Sequence, residues 1–386
     1  MRKYFEFYSG VKIKCGEAAL MTIAEELAAL RCKKPLLLSS ISAEKMGLTD
    51  KVKAAIPADA VKEVIVYSAV PVKLDADVVK EIKKVYLSKE CDGVIAVGGE
   101  SVMDSAKCLR LFLSQECDEI LPIMGTSISK KDHTPLIVIP TENGSGSEAS
   151  GILEVADNYV TSSAIVPDVV IIDEDTAMAT NAKSVAECGG YALANAVEAY
   201  LSSEEEDPSS VYAEKSIKLL SKYLVKAVKD GDDEEACRGT SLACTYAGIA
   251  YGNAPFGAAH ALAQGIDQVT EESEAAAYSM TLVPAMKKAK ENAEERLKTI
   301  LFLTKGANEY AETPDSERAD AAIRAIAEIF DALREIVHVK TKISQTKIMR
   351  ECFGAVAEAA ANKRAAITAF SPITREEFIA LLNEAY

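Results

Sequence analysis

Short, uniformly apolar runs alternate with helical patterns through the first 180 residues, and this alternation constrains the fold more than any other feature of the sequence. Strands buried on both faces are apolar at every position, because helices cover both sides of a parallel sheet. The pattern therefore predicts an α/β fold with a mainly parallel sheet. The predicted strands are KKPLLLSS (33–40), EVIVYSAV (63–70), DGVIAVGG (92–99), PLIVIP (135–140) and PDVVIID (167–173), and the clearest helical patterns cover 16–31 and 75–89.

The sequence changes character after about residue 181. Strand-like runs nearly disappear, and Ala, Glu, Lys and Leu dominate segments such as 213–230 and 316–336. The helical spacing of their apolar residues predicts an almost wholly helical second half. We therefore expect an α/β domain at 1–180 and a helical domain at 181–386, closely packed around a cleft of the kind that often holds a ligand.

Charge and cysteine usage narrow the range of partners. The net charge is −16, from 59 acidic and 43 basic residues, which argues against non-specific binding to nucleic acid or to an anionic membrane. No uncharged apolar run is long enough to span a bilayer, and the nine scattered cysteines contain no CxxC pair. We therefore expect a cytoplasmic protein whose partners include neither nucleic acid nor a membrane.

Two glycine-rich turns each follow a predicted strand. VGGESVMDSAK (97–107) leads into a helix, and PTENGSGSEAS (140–150) is rich in polar side chains. Glycines let the backbone approach a phosphate, and a helix N-terminus offers N–H groups and the positive end of a dipole. The two turns together favour an anion or dinucleotide site, although glycine at a strand-to-helix turn also serves backbone geometry alone.

The segment CGGYALANAVEAY (188–200) carries polar side chains on an otherwise apolar helical pattern. Tyr191 and Asn195 are four residues apart, so they share one face, and Glu198 lies near the same stripe. If this face is buried, its polar side chains indicate a functional site. Exposure to solvent would explain the same pattern without any function.

Together these motifs resemble the iron-containing alcohol dehydrogenase family. The resemblance implies an N-terminal α/β domain with a Rossmann-like sheet and an all-α C-terminal domain, the architecture also seen in dehydroquinate synthase-like proteins. It also implies interconversion of alcohols and carbonyl compounds with a nicotinamide cofactor, aided by a divalent iron or zinc ion as Lewis acid. The segments that carry it are Gly98–Lys107 (family pattern GGGSxxDxAK), Pro140–Glu148 (PTTxGTGSE), Tyr191–Tyr200 (DALxHAxEAY), Gly257–Gln264 (GxxHxxAH) and Thr281–Ala289 (LLPxVM).

The family's metal ligands, one Asp and three His, correspond to four positions at which this chain largely differs. The first three ligands fall on Tyr191, Asn195 and His260. The fourth falls on Glu274 when it is counted forward from His260, and on Ala275 when it is counted back from Pro284. Only His260 is retained. An amide and a neutral phenol are poor ligands for iron or zinc, and His260 with Glu274 falls short of a full coordination shell. We therefore expect no tightly bound iron or zinc.

The resemblance also assigns a nicotinamide dinucleotide to the two glycine turns. Ser40 stands where relatives that prefer NAD often carry Asp, so a 2′-phosphate is not repelled and NADP is at least as plausible as NAD. Glu100 replaces the third glycine of the family pattern and brings a carboxylate close to the expected pyrophosphate, which weakens binding if the side chain points inward. The expected cofactor-binding residues are Ser40, Gly98, Gly99, Ser101, Asp104, Thr141 and Ser145.

Three functions remain open at this point. The first is metal-independent reduction of a small carbonyl compound, with Tyr191 or His260 as the proton or hydrogen-bond donor and Asn195 as a further catalytic residue. The second is a catalytically silent family member with a binding or regulatory role. The third is an alcohol dehydrogenase with an unusual set of metal ligands.

The N-terminal segment KYFEFYSGVKIKCG (3–16) alternates bulky residues in the pattern of an edge strand. We expect it to pair with its symmetry mate in a homodimer. This expectation rests mainly on the resemblance, since many members of the family are dimers.

Overall fold

The computed structural model describes residues 6–119, 134–141, 144–155, 158–177, 181–202, 207–363, 365–366 and 372–386. The chain forms two compact units that divide between residues 180 and 181. Phe7 belongs to the helical unit, where its ring stacks on Tyr212 with the centroids 5.8 Å apart. Among the described residues, no helix is both long and apolar enough to cross a membrane.

The α/β unit is built on a parallel sheet. Its described strands are β1 (Lys12–Cys15), β2 (Pro35–Ser40), β3 (Ile65–Val70), β4 (Gly93–Gly98), β5 (Leu136–Pro140), β6 (Ile152–Val155), β7 (Asn158–Thr161) and β8 (Val169–Ile172). Six strands pair in parallel in the order β1–β8–β5–β4–β2–β3, and β6 with β7 forms an antiparallel hairpin. The five predicted strands are confirmed. β4, β5 and β8 are buried at every position, which explains their uniformly apolar sequences.

Helices α1 to α6 belong to the same unit. They are α1 (Ile23–Ala29), α2 (Ile41–Lys45), α3 (Leu48–Ala54), α4 (Ala76–Ser88), α5 (Glu100–Ser114) and α6 (Glu174–Ala177). Asp75 caps α4 by accepting a hydrogen bond from the backbone N–H of Asp77 at 2.8 Å, and Asp is among the residues preferred at this position. One apolar cluster joins Ile23 of α1 and Val52 of α3 to Leu37, Ile95 and Ile137 of the sheet.

The carboxyl ends of three neighbouring strands bring the predicted cofactor turns to one edge of the sheet. β4 and β5 end together, with Gly98 paired to Pro140, and the N–H of Thr141 donates to the carbonyl oxygen of Gly98 at 3.1 Å. β2 lies on the other side of β4 and ends at Ser40. Ligands of open parallel sheets bind at this edge.

The N-terminal segment contains β1, which lies at the edge of the sheet and pairs only with β8 among the described strands. Residues 3–5 of the segment lie outside the described residues. Association of two chains through this edge stays a prediction.

The described part of the second unit is helical, as predicted. Its helices are α7 (Ala182–Ser202), α8 (Pro208–Lys229), α9 (Glu234–Tyr251), α10 (Ala258–Val269), α11 (Glu274–Lys305), α12 (Ala307–Glu312), α13 (Arg318–Val337), α14 (Phe353–Ala361) and α15 (Arg375–Ala385). α7 packs against α8, α9 and α11, and its second half is buried on all sides. A helix surrounded in this way is apolar around its circumference, so polar residues on α7 require an explanation.

Candidate functional site

The polar residues of α7 lie inside the helical unit. Asn195 and Glu198 are only 2% and 6% exposed, and Tyr191 is half-buried. An exposed surface stripe is therefore excluded as the explanation of this pattern for Asn195 and Glu198. Oδ1 of Asn195 has no hydrogen-bond partner among the described residues, and an unsatisfied buried acceptor costs about 1–3 kcal/mol.

His260, the third residue of α10, is completely buried among aromatic side chains. Its ring stacks on Phe256 at a centroid distance of 4.5 Å and an interplanar angle of 8°. Nδ1 lies 3.0 Å from the hydroxyl of Tyr251 and hydrogen-bonds the hydroxyl of Tyr278. The ring of Tyr191 meets Tyr278 edge-on at 5.0 Å. We call these five residues, Tyr191, Tyr251, Phe256, His260 and Tyr278, the aromatic cluster.

The imidazole of His260 is uncharged at neutral pH. Burial, with a smaller contribution from the charge of Lys363, lowers the pKa of His260 to about 3. The carboxylate oxygen Oε1 of Glu274 lies 3.7 Å from Nδ1, and Glu274 is the first residue of α11. A histidine in this state accepts or donates hydrogen bonds but carries no acidic proton near pH 7.

Glu198 joins α7 to the N-terminus of α10. Its carboxylate accepts hydrogen bonds from the N–H groups of Ala259 at 2.7 Å and His260 at 3.1 Å. Burial raises the pKa of Glu198 to about 7, although hydrogen bonds from these two groups and from Gly257 oppose the rise. A Cβ at Gly257 would lie 2.2 Å from Oε1 of Glu198, so this close approach requires glycine.

The four positions that the resemblance assigns to metal ligands differ in the donor atoms that they carry. Tyr191 and Asn195 contribute a phenol and an amide, and only His260 and Glu274 bring donors that iron or zinc prefers. Among the described residues, no group of three or more His, Cys, Asp or Glu side chains is arranged to hold a metal ion. The phenols of Tyr251 and Tyr278 face His260 instead.

The predicted cofactor residues divide into an accessible and a buried set. Ser40, Gly99, Ser101 and Asp104 are half-buried, whereas Gly98, Thr141 and Ser145 are buried. Oγ of Ser40 caps α2 by accepting from the N–H of Ala43 at 3.2 Å. Gly99 is the cap of α5 and provides no side-chain hydrogen bond to it, so the N-terminus of this 15-residue helix suits an anionic group.

Two of the predicted cofactor residues, Asp104 and Ser145, have polar contacts with other residues of the protein. The carboxylate of Asp104 accepts a hydrogen bond from the hydroxyl of Ser147 and lies 3.3 Å from Nζ of Lys107. Oγ of Ser145 accepts from the N–H of Ser147 at 3.4 Å. Both residues therefore stabilise the second glycine turn.

Sequence reasoning missed Tyr251, Phe256 and Tyr278. Tyr278 lies four residues after Glu274 and so on the same helical face, which is the one signal that pointed to it. Tyr251 ends α9, and Phe256 lies in the loop before α10. Their approach to His260 depends on helix packing that no local pattern reveals.

Comparison with known proteins identifies the family. The model of iron-containing alcohol dehydrogenases matches residues 10–174, and that of the C-terminal region of Fe-containing alcohol dehydrogenases matches residues 185–386. These matches cover most of the chain. The protein therefore belongs to the iron-containing alcohol dehydrogenase family, as the sequence motifs predicted.

Individual relatives agree with this assignment. The chain is similar to choline dehydrogenase of Bacillus subtilis strain 168, with 28% identity over 74% of this chain and 73% of the relative. It is also similar to the NAD-dependent methanol dehydrogenase of Bacillus methanolicus, with 27% identity over 66% of this chain and 68% of the relative. The crystal structure of a 1,3-propanediol oxidoreductase shares the fold, with a TM-score of 0.91 over all of both chains at 22% identity.

Proposed function

We propose that this protein is a metal-independent reductase that uses NADPH or NADH to reduce a small carbonyl compound. The observation that carries the proposal is the aromatic cluster, in which His260 meets the hydroxyls of Tyr251 and Tyr278. Catalytic iron or zinc sites use three or more strong protein ligands. One imidazole and one carboxylate do not fit such an ion.

Tyr191 polarises the carbonyl group of the substrate in place of a metal ion. Its hydroxyl donates a hydrogen bond to the carbonyl oxygen, stabilises the negative charge that develops there, and transfers its proton to form the alcohol. Tyr191 suits this role because it is half-buried, whereas His260 is enclosed and uncharged. Asn195 lies one turn along α7 and is enclosed in the same way as His260, so we assign it no contact with the substrate.

The carboxyl edge of the sheet fits a nicotinamide dinucleotide, which would supply the hydride when bound. Gly99 and Ser101 at the start of α5 would hold the pyrophosphate, because helix N-termini favour anions. Ser40 leaves the 2′-position of the ribose without an opposing carboxylate. The NAD-dependent methanol dehydrogenase among the relatives supports a nicotinamide cofactor of this type.

Glu100→Gly is expected to tighten binding of both nucleotides about tenfold, which corresponds to about 1.4 kcal/mol. Glu100 is the acidic residue of the first turn of α5, and a carboxylate a few ångströms from a diphosphate costs about 1 kcal/mol or more. Titration of NADPH and NADH, followed by nucleotide fluorescence, measures the effect. Glu100→Gln is the matched control: it removes the charge without adding backbone freedom, and should reproduce most of the gain.

A catalytically silent family member is the second candidate, and Glu100 favours it. A carboxylate at the helix N-terminus already interacts with the positive end of the dipole, where a pyrophosphate would otherwise bind. If neither nucleotide binds at millimolar concentration and Glu100→Gly does not restore binding, the reductase proposal is wrong. The fold would then serve a binding or regulatory role.

A further inference from the structure

Two fully buried cations lie about one turn apart on α5, the helix that begins at the first glycine turn. Lys107 and Arg110 are 0% and 2% exposed. A buried cation is destabilising unless oxygen atoms surround it. The partners of each side chain therefore reveal which segment it holds in place.

The ammonium of Lys107 is surrounded by oxygen atoms of the second glycine turn and the strand that follows it. Nζ lies 2.6 Å from Oγ of Ser147, 3.3 Å from Oγ of Ser150 and 3.1 Å from the carbonyl oxygen of Ile152. It also lies 3.3 Å from Oδ1 of Asp104, which accepts a hydrogen bond from Ser147. One ammonium thus connects α5 to both ends of the segment 147–152.

Lys107 has no N–H left for a ligand. An ammonium group has three N–H donors, and four protein oxygen atoms lie within 3.3 Å of Nζ. The carboxylate of Asp104 balances its charge. Any effect of Lys107 on a bound nucleotide therefore passes through the turn that it holds.

We propose that Lys107 is a positioning residue for the dinucleotide: it fixes the second glycine turn against the helix that begins at the first turn. The backbone bond from Thr141 to Gly98 joins the two turns at the sheet, and Lys107 joins them again at the far end of the second turn. The backbone N–H groups of the two turns are then held in a fixed position relative to each other, ready to bind the nucleotide. This inference rests on the proposed function, because it requires a nucleotide at these turns.

Arg110 provides a matched control, since it is an equally buried cation on the same helix that holds a different segment. It donates from Nη1 to the carbonyl oxygen of Val166 at 2.8 Å, and its Nη2 lies 3.1 Å from Oδ2 of Asp168. These partners precede β8. Lys107→Met and Arg110→Met each remove a buried cation and leave a carboxylate without it, so both variants should lose stability to a similar degree.

The affinity for NADPH distinguishes a positioning role of Lys107 from a general loss of stability. Lys107→Met is expected to weaken NADPH binding about tenfold or more, and Arg110→Met by no more than about twofold, each measured well below its melting temperature. Amide hydrogen exchange of residues 144–152 should rise in Lys107→Met only. Equal losses of affinity in the two variants would overturn the inference while leaving the proposed function intact.

Two further outcomes have a definite meaning. If the unmutated protein binds neither NADPH nor NADH, the proposed function fails and the inference fails with it. If Lys107→Met does not fold, the double variant Ser147→Ala, Ser150→Ala removes two of the four acceptors of Lys107. It should weaken NADPH binding about threefold, and unchanged affinity in this variant would overturn the inference.

Discussion

Tyr191→Phe is expected to lower kcat for carbonyl reduction by about two to three orders of magnitude, the usual contribution of a positioned proton donor. The variant removes one hydroxyl and keeps the ring that meets Tyr278 edge-on, so the packing of the cluster should survive. The Kd for NADPH should not change, because the cofactor turns belong to the α/β unit. Steady-state kinetics with NADPH and a panel of small aldehydes and ketones provide the measurement.

Tyr200→Phe is the control for the loss of a hydroxyl. Tyr200 lies on the same helix, and the guanidinium of Arg296 lies over its ring at 4.4 Å, outside the aromatic cluster. This variant should keep kcat within about threefold of the unmutated protein. If Tyr191→Phe is as active as Tyr200→Phe, Tyr191 is not the proton donor.

The free energy of unfolding should depend on pH through two buried groups that act in opposite directions. Burial lowers the pKa of His260 from 6.5 to about 3. Between these values the unfolded chain binds a proton that the folded chain does not. The free energy of unfolding therefore falls as pH decreases from 6.5 towards 3, by up to about 1.4 kcal/mol per pH unit.

Glu198 has the reverse effect. Its pKa rises from 4.5 to about 7 on folding, so between these values the folded chain keeps a proton that the unfolded chain releases. The free energy of unfolding therefore falls as pH rises from 4.5 to 7. The effects of the two groups oppose each other between pH 4.5 and 6.5, and of the two only His260 destabilises the fold as pH falls below 4.5.

His260→Leu removes the contribution of His260 to the pH dependence of the free energy of unfolding and leaves that of Glu198. Relative to the unmutated protein, its free energy of unfolding should rise by about 2–3 kcal/mol as pH is lowered from 7 to 4.5. Urea unfolding at several pH values measures this difference. His338→Asn is the control for the loss of a histidine outside the core: His338 is exposed and has a positive φ of 59° that Asn tolerates. Parallel pH profiles for His260→Leu and the unmutated protein would contradict the assignment of a neutral buried His260.

The strands and helices that local patterns specify could be predicted, and those that depend on partners could not. The apolar runs at 93–98 and 136–140 are buried on both faces, so their composition alone identified them. β1 (Lys12–Cys15) lies in the segment predicted as an edge strand, but the alternating pattern did not reveal that it pairs with β8 of the same chain. The hairpin of β6 and β7 has four residues in each strand, and no local pattern predicted it.

The sequence predicted the residues of the candidate site that lie on α7. It did not predict the residues that reach the site through the packing of other helices. The spacing of Tyr191, Asn195 and Glu198 on one helix follows from the helical period. Tyr251 and Tyr278 come from two other helices and meet at His260, so no local spacing relates them. Burial of His260 sets its charge state, and burial at a single position cannot be read from the types of its sequence neighbours.

Metal content combined with activity tests the central claim, metal-independent reduction, most directly. Protein purified without chelators would be assayed for iron and zinc by elemental analysis, and for NADPH-dependent carbonyl reduction before and after treatment with EDTA. We predict well under one equivalent of either metal per chain and the same activity after treatment. Near-stoichiometric metal, with activity that is lost on chelation and restored by adding the ion back, would contradict the account.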